Sequence, residues 1–288
     1  MKSTVVFQSD GGPGSGGVYA GVVKAVDPEV GVYDFDHDIQ PLNIRHAAYQ
    51  LSTVAPFWPS GTIFVSVVDP GVGTSRRIAA AKLSNGNIII TPDNGVLTLL
   101  AEDIVEVREV DPVKNRRPGS ENVWIFHGRD IFSYTAGRLA SGQISYEDVG
   151  PSYPVEEVVI LPLTNIKPVV REGYAEGGIY NMEVAYGDSR INISNKDFQE
   201  IGGFRYGDLV HVTIKDGDRL IYEDDVMYER AFNYVERRKP LICGDIQPGD
   251  KQKIRFTIND INFIEVYAPE LMDDMSKAVN FKFTVTRI

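Results

Sequence analysis

The stretch GTIFVSVVDPGVGTSRR, Gly61 to Arg77, opens with an almost unbroken β-branched and aromatic run from Ile63 to Val68. Such a run predicts a strand buried on both faces rather than a half-exposed alternating one. It ends on a carboxylate, Asp69. Pro70 then sets the chain direction, Gly71 and Gly73 allow close backbone approach, and two cations, Arg76 and Arg77, follow. In open α/β sheets, ligands bind just beyond the carboxyl ends of the strands. Taken alone, the stretch reads equally well as a hairpin turn with solvated arginines. Two other segments share its pattern of buried strand, polar residues and glycine.

The first is Thr4 to Phe7, followed by Gln8-Ser9-Asp10, the loop GGPGSGG and a helix-capable segment from Val18 to Val26. Gly12, Gly14 and Gly17 match the dinucleotide pattern G-x-G-x-x-G, and Asp34, Asp36 and Asp38 follow a second strand, Val30 to Tyr33. An NAD-dependent oxidoreductase is therefore one reading. Against it, a polar Ser9-Asp10 precedes the first glycine and Pro13 has no amide for a pyrophosphate. The other use of the loop is to hold Asp10 where a carboxylate accepts two hydrogen bonds from a ribose diol.

The second is Asn122 to Phe126, read as a strand ending in His127-Gly128-Arg129-Asp130, with a helix from Ile131 to Leu139 closed by Gly142. If the strands are parallel, Asp10, Asp69 and His127 converge on one edge. Between these segments, Pro41 to Val54 has the apolar spacing of a helix with His46 on its wet side. Strands are expected at Ile78 to Leu83 and Ile88 to Thr91, joined by a turn at Asn85-Gly86. Pro92-Asp93-Asn94-Gly95 then leads into a short helix, Val96 to Glu102, with Asp93 and Asn94 as turn formers or a cap.

The 288 residues suffice for two domains, and 43% hydrophobic with 24% charged residues is ordinary for a globular chain. A net charge of −11 argues against nucleic-acid and anionic-membrane partners. The single Cys243 permits no internal disulfide, the N-terminus lacks the apolar region of a signal peptide, and a cytoplasmic location is the expectation. Four scattered histidines and one cysteine argue against a zinc site, and no metal is expected.

After about Pro151 the pattern changes. Short alternating segments at Ile179 to Val184, Arg190 to Ile193, Leu209 to Ile214, Arg219 to Tyr222, Lys253 to Ile258, Phe263 to Tyr267 and Phe281 to Thr286 predict a small antiparallel barrel. The expected organisation is an α/β N-terminal domain with a mostly parallel sheet over residues 1–165 and an all-β barrel domain over 166–288. Numerous tyrosines there offer stacking surface for a base or plain packing.

Ser9-Asp10-Gly11, VVDPGVGTSRR from Val67 to Arg77, Pro92-Asp93-Asn94-Gly95 and FHGRDIF from Phe126 to Phe132 together resemble the S-adenosylmethionine hydroxide adenosyltransferases, hydrolytic relatives of the fluorinase and chlorinase. The resemblance covers about the first 165 residues and implies the same division into α/β and barrel domains. It implies hydrolysis of S-adenosyl-L-methionine at ribose C5′ to adenosine and L-methionine, with no cofactor, in a homotrimer with sites at subunit interfaces. A non-catalytic adenosine-binding relative is the remaining alternative. The family's Asp-Arg-His set falls on Asp69, Arg76 and His127, and its ribose-binding aspartate on Asp10, beside Gly11. Phe126 matches a residue lining the ribose pocket, Gly128 stands where the halogenases carry a small hydroxyl donor, and Tyr228 matches an aromatic on the adenine. Tyr186 and Asp188 echo the family's base-reading segment, with aspartate in place of its asparagine and Ala185 and Arg190 departing from the pattern. The segment that handles the amino-acid end has no counterpart at Leu241 to Asp245.

Overall fold

The computed structural model describes residues 2–183, 185–247, 251–272 and 275–288. The chain divides into two compact units, Met1–Leu161 and Pro162–Ile288.

The first unit is built on seven strands: β1 (Val5–Ser9), β2 (Val32–Asp36), β3 (Ile63–Val67), β4 (Ile78–Leu83), β5 (Ile88–Pro92), β6 (Ile104–Glu109) and β7 (Ser152–Tyr153). They lie in the order β2-β1-β3-β5-β4-β6-β7. The pairings β2–β1, β1–β3 and β3–β5 are parallel, and β4 and β7 run against the others. Helices α1 (Gly14–Val26) and α3 (Ser133–Ser141) share one core with Val5, Phe7, Ile63 and Val65. Helix α2 (Ile44–Val54) covers the other face, where Ala47 and Leu51 pack with Val6 and Phe64. Both faces of β1 and β3 are thus buried, which accounts for runs without alternation.

Three local expectations are corrected. Asn122 to Phe126 is not a strand: Trp124 and Ile125 are 65% and 78% exposed, and Arg116 Nη1 holds the carbonyls of Ser120 and Val123 at 3.3 and 2.8 Å in a turn. Strands β6 and β7 are unpredicted; in β6, Glu106 and Arg108 interrupt the apolar pattern although Ile104 and Val107 are buried. Helix α1 begins at Gly14 instead of Val18, so Gly14, Gly16 and Gly17 belong to its first turns. Pro41 and Leu42 stay outside α2, which Asn43 caps through the His46 amide at 2.9 Å.

The second unit holds β8 (Val169–Arg171), β9 (Tyr174–Glu183), β10 (Asp188–Ser194), β11 (Leu209–Asp216), β12 (Arg219–Tyr228), β13 (Pro240–Gly244), β14 (Lys253–Ile258) and β15 (Phe281–Arg287). The order is β10-β14-β13-β12-β11-β15-β9-β8, and a β9–β10 pairing closes a barrel of seven strands. Its β12–β13 pair is parallel, the other barrel pairings antiparallel. Helix α4 (Asn195–Glu200) follows β10. Phe263 to Tyr267, expected as a strand, is helix α5 (Phe263–Tyr267). Asn262 caps it through the amides of Ile264 and Glu265, and consecutive Phe263 and Ile264 both enter the core, which a strand would not allow. Val184, at the end of one predicted strand, lies outside the described residues. Among the described residues no helix is long and apolar enough to cross a membrane.

Candidate active site

Parallel pairing of β1 with β3 sets Ser9 beside Val67, so both strands release their chains at the same edge. Asp10 follows Ser9, its amide bonded to the Val67 carbonyl at 3.4 Å, and Asp69 follows two residues after Val67. The loop from Asp69 to Arg77 then spans β5 to enter β4, folded on Val72 N to Asp69 O and Thr74 N to Gly71 O bonds of 3.2 and 3.1 Å. This compact loop turns Arg76 back onto Asp69. Arg76 Nε donates to Asp69 Oδ1 at 2.9 Å and Nη2 to Oδ2, a bidentate pair whose side chains are 11% and 7% exposed.

His127 reaches this edge from a different element. The helix that includes α3 starts with one π-type turn, Gly128–Phe132, and His127 stands at its head. A π-turn holds one residue more than an α-turn and is frequent at functional sites. Asp130, fully buried in the same turn, is anchored by Arg117 at 3.1 Å and Arg129 at 2.7 Å. Any side chain at Gly128 forces Val67 to shift: a Cβ there would lie 2.5 Å from Val67 Cγ1 and 3.3 Å from the Tyr19 hydroxyl.

Arg76 Nη2 lies 3.0 Å from His127 Nδ1. A guanidinium only donates, so Nδ1 is the acceptor and the proton of the neutral ring sits on Nε2. Burial, followed by the charges of Arg76 and Arg116, pushes the His127 pKa below the usual histidine value and keeps the ring neutral. Nε2 is buried and bonded to nothing in the described residues. The site therefore presents one N–H donor, aimed by an Arg-Asp pair, to whatever stands in front of it.

The ribose candidate Asp10 accepts from the Leu42 amide at Oδ2, 2.9 Å away, and Leu42 holds a left-handed φ of 64° to do so. Gly11 N lies 3.3 Å from Ser9 Oγ. Phe126 packs edge-on against Tyr19, with the Arg129 guanidinium 4.5 Å from its centroid.

Sequence reasoning missed a polar cluster behind this edge. Ser9 Oγ meets His37 Nδ1 at 2.7 Å, and His37 Nε2 lies 3.0 Å from Asp34 Oδ1. Tyr19 is buried beside this cluster, and burial raises its pKa. The available signals were Ser9 at a strand end and His37 among aspartates, but their meeting needs the β1–β2 pairing. This cluster also overturns the dinucleotide reading. A Cβ on Gly16 would lie 2.5 Å from Asp34 Oδ2 and 2.7 Å from His37 Nε2, so a carboxylate and an imidazole already fill the space beside the helix start. A pyrophosphate would meet that carboxylate instead of open amides.

Asp93 is structural, accepting from Tyr153 Oη at 3.1 Å and the Val159 amide at 2.9 Å, while Asn94 Nδ2 donates to the Val68 carbonyl at 3.0 Å. In the second unit Tyr186 is 69% exposed. Asp188 is buried, with its oxygens on Arg255 Nη1 at 2.9 Å and Thr257 Oγ1 at 2.5 Å. Tyr228 is corrected from ligand contact to core: it is fully buried, donates to Asn195 Oδ1 at 2.8 Å, accepts from Gln199 Nε2 at 2.7 Å and packs against Phe198. Among the described residues, no group of three or more His, Cys, Asp or Glu gathers as metal ligands.

Residues 5–150 match the family described as SAM hydroxide adenosyltransferase N-terminal domain. The chain is 39% identical over 156 residues to the (R)-S-adenosyl-L-methionine hydrolase of Thermus thermophilus, across 50% of this chain and 60% of that protein. The chain thus spans about three fifths of that relative's length. A protein of the same name from Methanocaldococcus jannaschii is 25% identical over 265 residues, 91% of this chain and 84% of its own. Among solved structures, an uncharacterised conserved protein from Thermotoga maritima aligns with a TM-score of 0.77 at 27% identity, covering 99% of this chain and 100% of that one.

Proposed function

The chain belongs to the SAM hydroxide adenosyltransferase family, and from that premise we propose that it hydrolyses S-adenosyl-L-methionine to adenosine and L-methionine. The observation that carries this reading is the unpartnered Nε2–H of His127, pinned from behind by Arg76 and Asp69. A sulfonium departs as a neutral thioether and needs no acid. The demand is on the nucleophile, because free water is a weak one. In this reading His127 Nε2–H holds the oxygen of one water in line with the C5′–S bond. The oxygen's lone pair forms the C–O bond as the C–S pair leaves with sulfur. One proton of that water leaves to solvent as the C–O bond forms, and the His127 donor with the Arg76 charge behind it stabilises the hydroxide character this requires. Asp69, both oxygens on Arg76, fixes the guanidinium and takes no proton. Asp10 holds the ribose diol, Gly11 and Phe126 lie along the ribose, and no cofactor is required. Tyr186 and Asp188 belong to the adenine side in this reading. Further parts of the proposal are a homotrimer, in which a neighbouring copy completes each site, and a cytoplasmic location.

The test is incubation with S-adenosyl-L-methionine alone, with chromatography for adenosine and methionine in equal amounts. Tight adenosine binding without turnover would instead favour a non-catalytic relative. Asp10→Ala is expected to raise KM far more than it lowers kcat, since its partners are present in ground and transition states alike.

A further inference from the structure

The chain that delivers His127 to Arg76 has no regular structure to stiffen it. From Asp111 to Phe126 it runs through turns and bends, without a helix or strand. Apolar burial does not hold this stretch either, since Val113, Trp124 and Ile125 all point into solvent. A misplaced imidazole would nevertheless be costly, because the donor must stand in line with the reacting centre.

One side chain supplies the missing restraint. Arg116 is half-buried, its Nη1 donates to the Ser120 and Val123 carbonyls, and its guanidinium carbon lies 5.6 Å from the Trp124 ring centroid. It thus touches three residues of the turn 120–124. The Val123 amide closes that turn on the Ser120 carbonyl at 3.0 Å, and Ser120, fully buried, bonds the Arg117 carbonyl through its hydroxyl at 2.6 Å. The Arg117 amide in turn donates to the Asp130 carbonyl at 2.7 Å, which joins the turn to the π-turn after His127. The same turn abuts the loop of Asp69 and Arg76: a Cβ on Gly73, which holds a φ of 80°, would lie 3.2 Å from the Trp124 carbonyl. Trp124 stands three residues before His127, and Gly73 three before Arg76. A shift of the turn therefore reaches both partners of the Arg76–His127 contact.

Resting on the hydrolytic reading, we propose that Arg116 is a positioning residue of that reaction, the clamp that holds the 120–124 turn and so presents His127 to Arg76 and to the water. It makes no bond to substrate and takes no proton. Its charge works in the same direction as the clamp: with burial and Arg76 it opposes protonation of His127, against Asp69 and Asp130. The other two cations of this region, Arg117 and Arg129, are paired with Asp130.

Arg116→Met and Arg116→Lys test the clamp, each first checked for wild-type melting. Methionine keeps the length and the packing on Trp124 but loses the donors and the charge, whereas lysine keeps the charge without the planar fork. Arg116→Met is expected to lower kcat for adenosine release by about 10- to 100-fold, the cost of a small misplacement, with KM within about twofold. It is also expected to move the NMR titration of His127 in the ligand-free protein, and with it the acid limb of kcat, to higher pH, because the imidazolium is no longer opposed by that charge. Arg116→Lys is expected to titrate like wild type, with kcat between the other two. A side chain that merely stabilised the fold would move neither kcat nor the titration once the variant is folded. Wild-type kcat in Arg116→Met, an unmoved titration there, or an equal shift in both variants overturns the assignment. If Arg116→Met does not fold, Arg116→Lys decides, and wild-type kcat in it overturns the clamp. The titration is read without turnover, so absence of adenosine release by wild type overturns the hydrolytic reading separately.

Discussion

The Arg76 guanidinium and the His127 imidazole, 51 residues apart in sequence, meet at 3.0 Å through Nη2 and Nδ1, and this one contact decides the tautomer of the ring. It makes Nε2 of His127 a donor that is bonded to nothing in the described residues.

Removing any part of this unit is expected to cost turnover more than affinity. Asp69→Ala and His127→Ala should each lower kcat by about two to four orders of magnitude, the range for a positioned acid–base or donor group. Adenosine release under saturating substrate measures kcat, and calorimetric titration measures affinity. Wild-type turnover in either variant would show that the donor does not hold the water.

The pH dependence has a definite sign. The active form of His127 is neutral, and burial with Arg76 and Arg116 lowers its pKa, opposed by Asp69 and Asp130. The rate of adenosine release should stay level from neutral pH downward and fall only below the ordinary histidine value of about 6.5. Because the unfolded chain takes up this proton more readily, His127 also removes stability as pH drops below about 6.5 towards its folded pKa. An acid limb centred above that value would contradict the assigned tautomer.

Gly128→Ser should destabilise the first unit by about 1–3 kcal/mol, the usual cost of overpacking, since its Cβ would stand 2.5 Å from Val67 Cγ1. Chemical denaturation of Gly128→Ser with and without Val67→Ala checks this. The double variant should recover part of the loss, and strict additivity would rule out the contact as the cause.

Chloride should not replace water. A dehydrated halide beside the Asp69 carboxylate faces a repulsion that Arg76, already paired, offsets poorly. Molar chloride with S-adenosyl-L-methionine should yield adenosine and no 5′-chloro-5′-deoxyadenosine by mass spectrometry. Chloronucleoside formation at a comparable rate would displace water as the nucleophile.

Asp93→Ala should cost about 1–3 kcal/mol of stability by stranding a partly buried hydroxyl and amide, since Tyr153 and Val159 both donate to it. Below the melting point, its adenosine release should remain close to wild type, and a large loss of rate in a well-folded variant would place Asp93 in the chemistry.

The frame of the site was legible where burial dictates residue type. The runs at Val5 to Phe7 and Ile63 to Val67 can only be central strands, and the residues after them, Asp10 and Asp69, then fall on one edge. The support of His127 was not legible, because Trp124 and Ile125 imitate a strand while lying in solvent and a π-turn has no clear sequence signature. Glu106 and Arg108 hid β6 for the opposite reason, polar residues within a strand that β4 and β7 flank. Tyr228 shows the limit of a local match: its position suited a base-stacking residue, but the barrel closes around it. Tyr19, Ser9, His37 and Asp34 come from three separate elements, and only the tertiary arrangement unites them.

The spacing of the Asp-Arg-His unit also sets the order in which it assembles and fails. Asp69 and Arg76 are seven residues apart, within a single loop, whereas His127 must be brought across 51 residues to join them. Chain-closure entropy makes the longer connection costlier by about 1.8 kcal/mol from the logarithm of the two lengths. On warming or partial unfolding, the imidazole should therefore leave first, while the loop keeps its carboxylate-guanidinium pair. Inactivation would then precede loss of the sheet, and amide exchange in 120–130 would run ahead of that in 63–77.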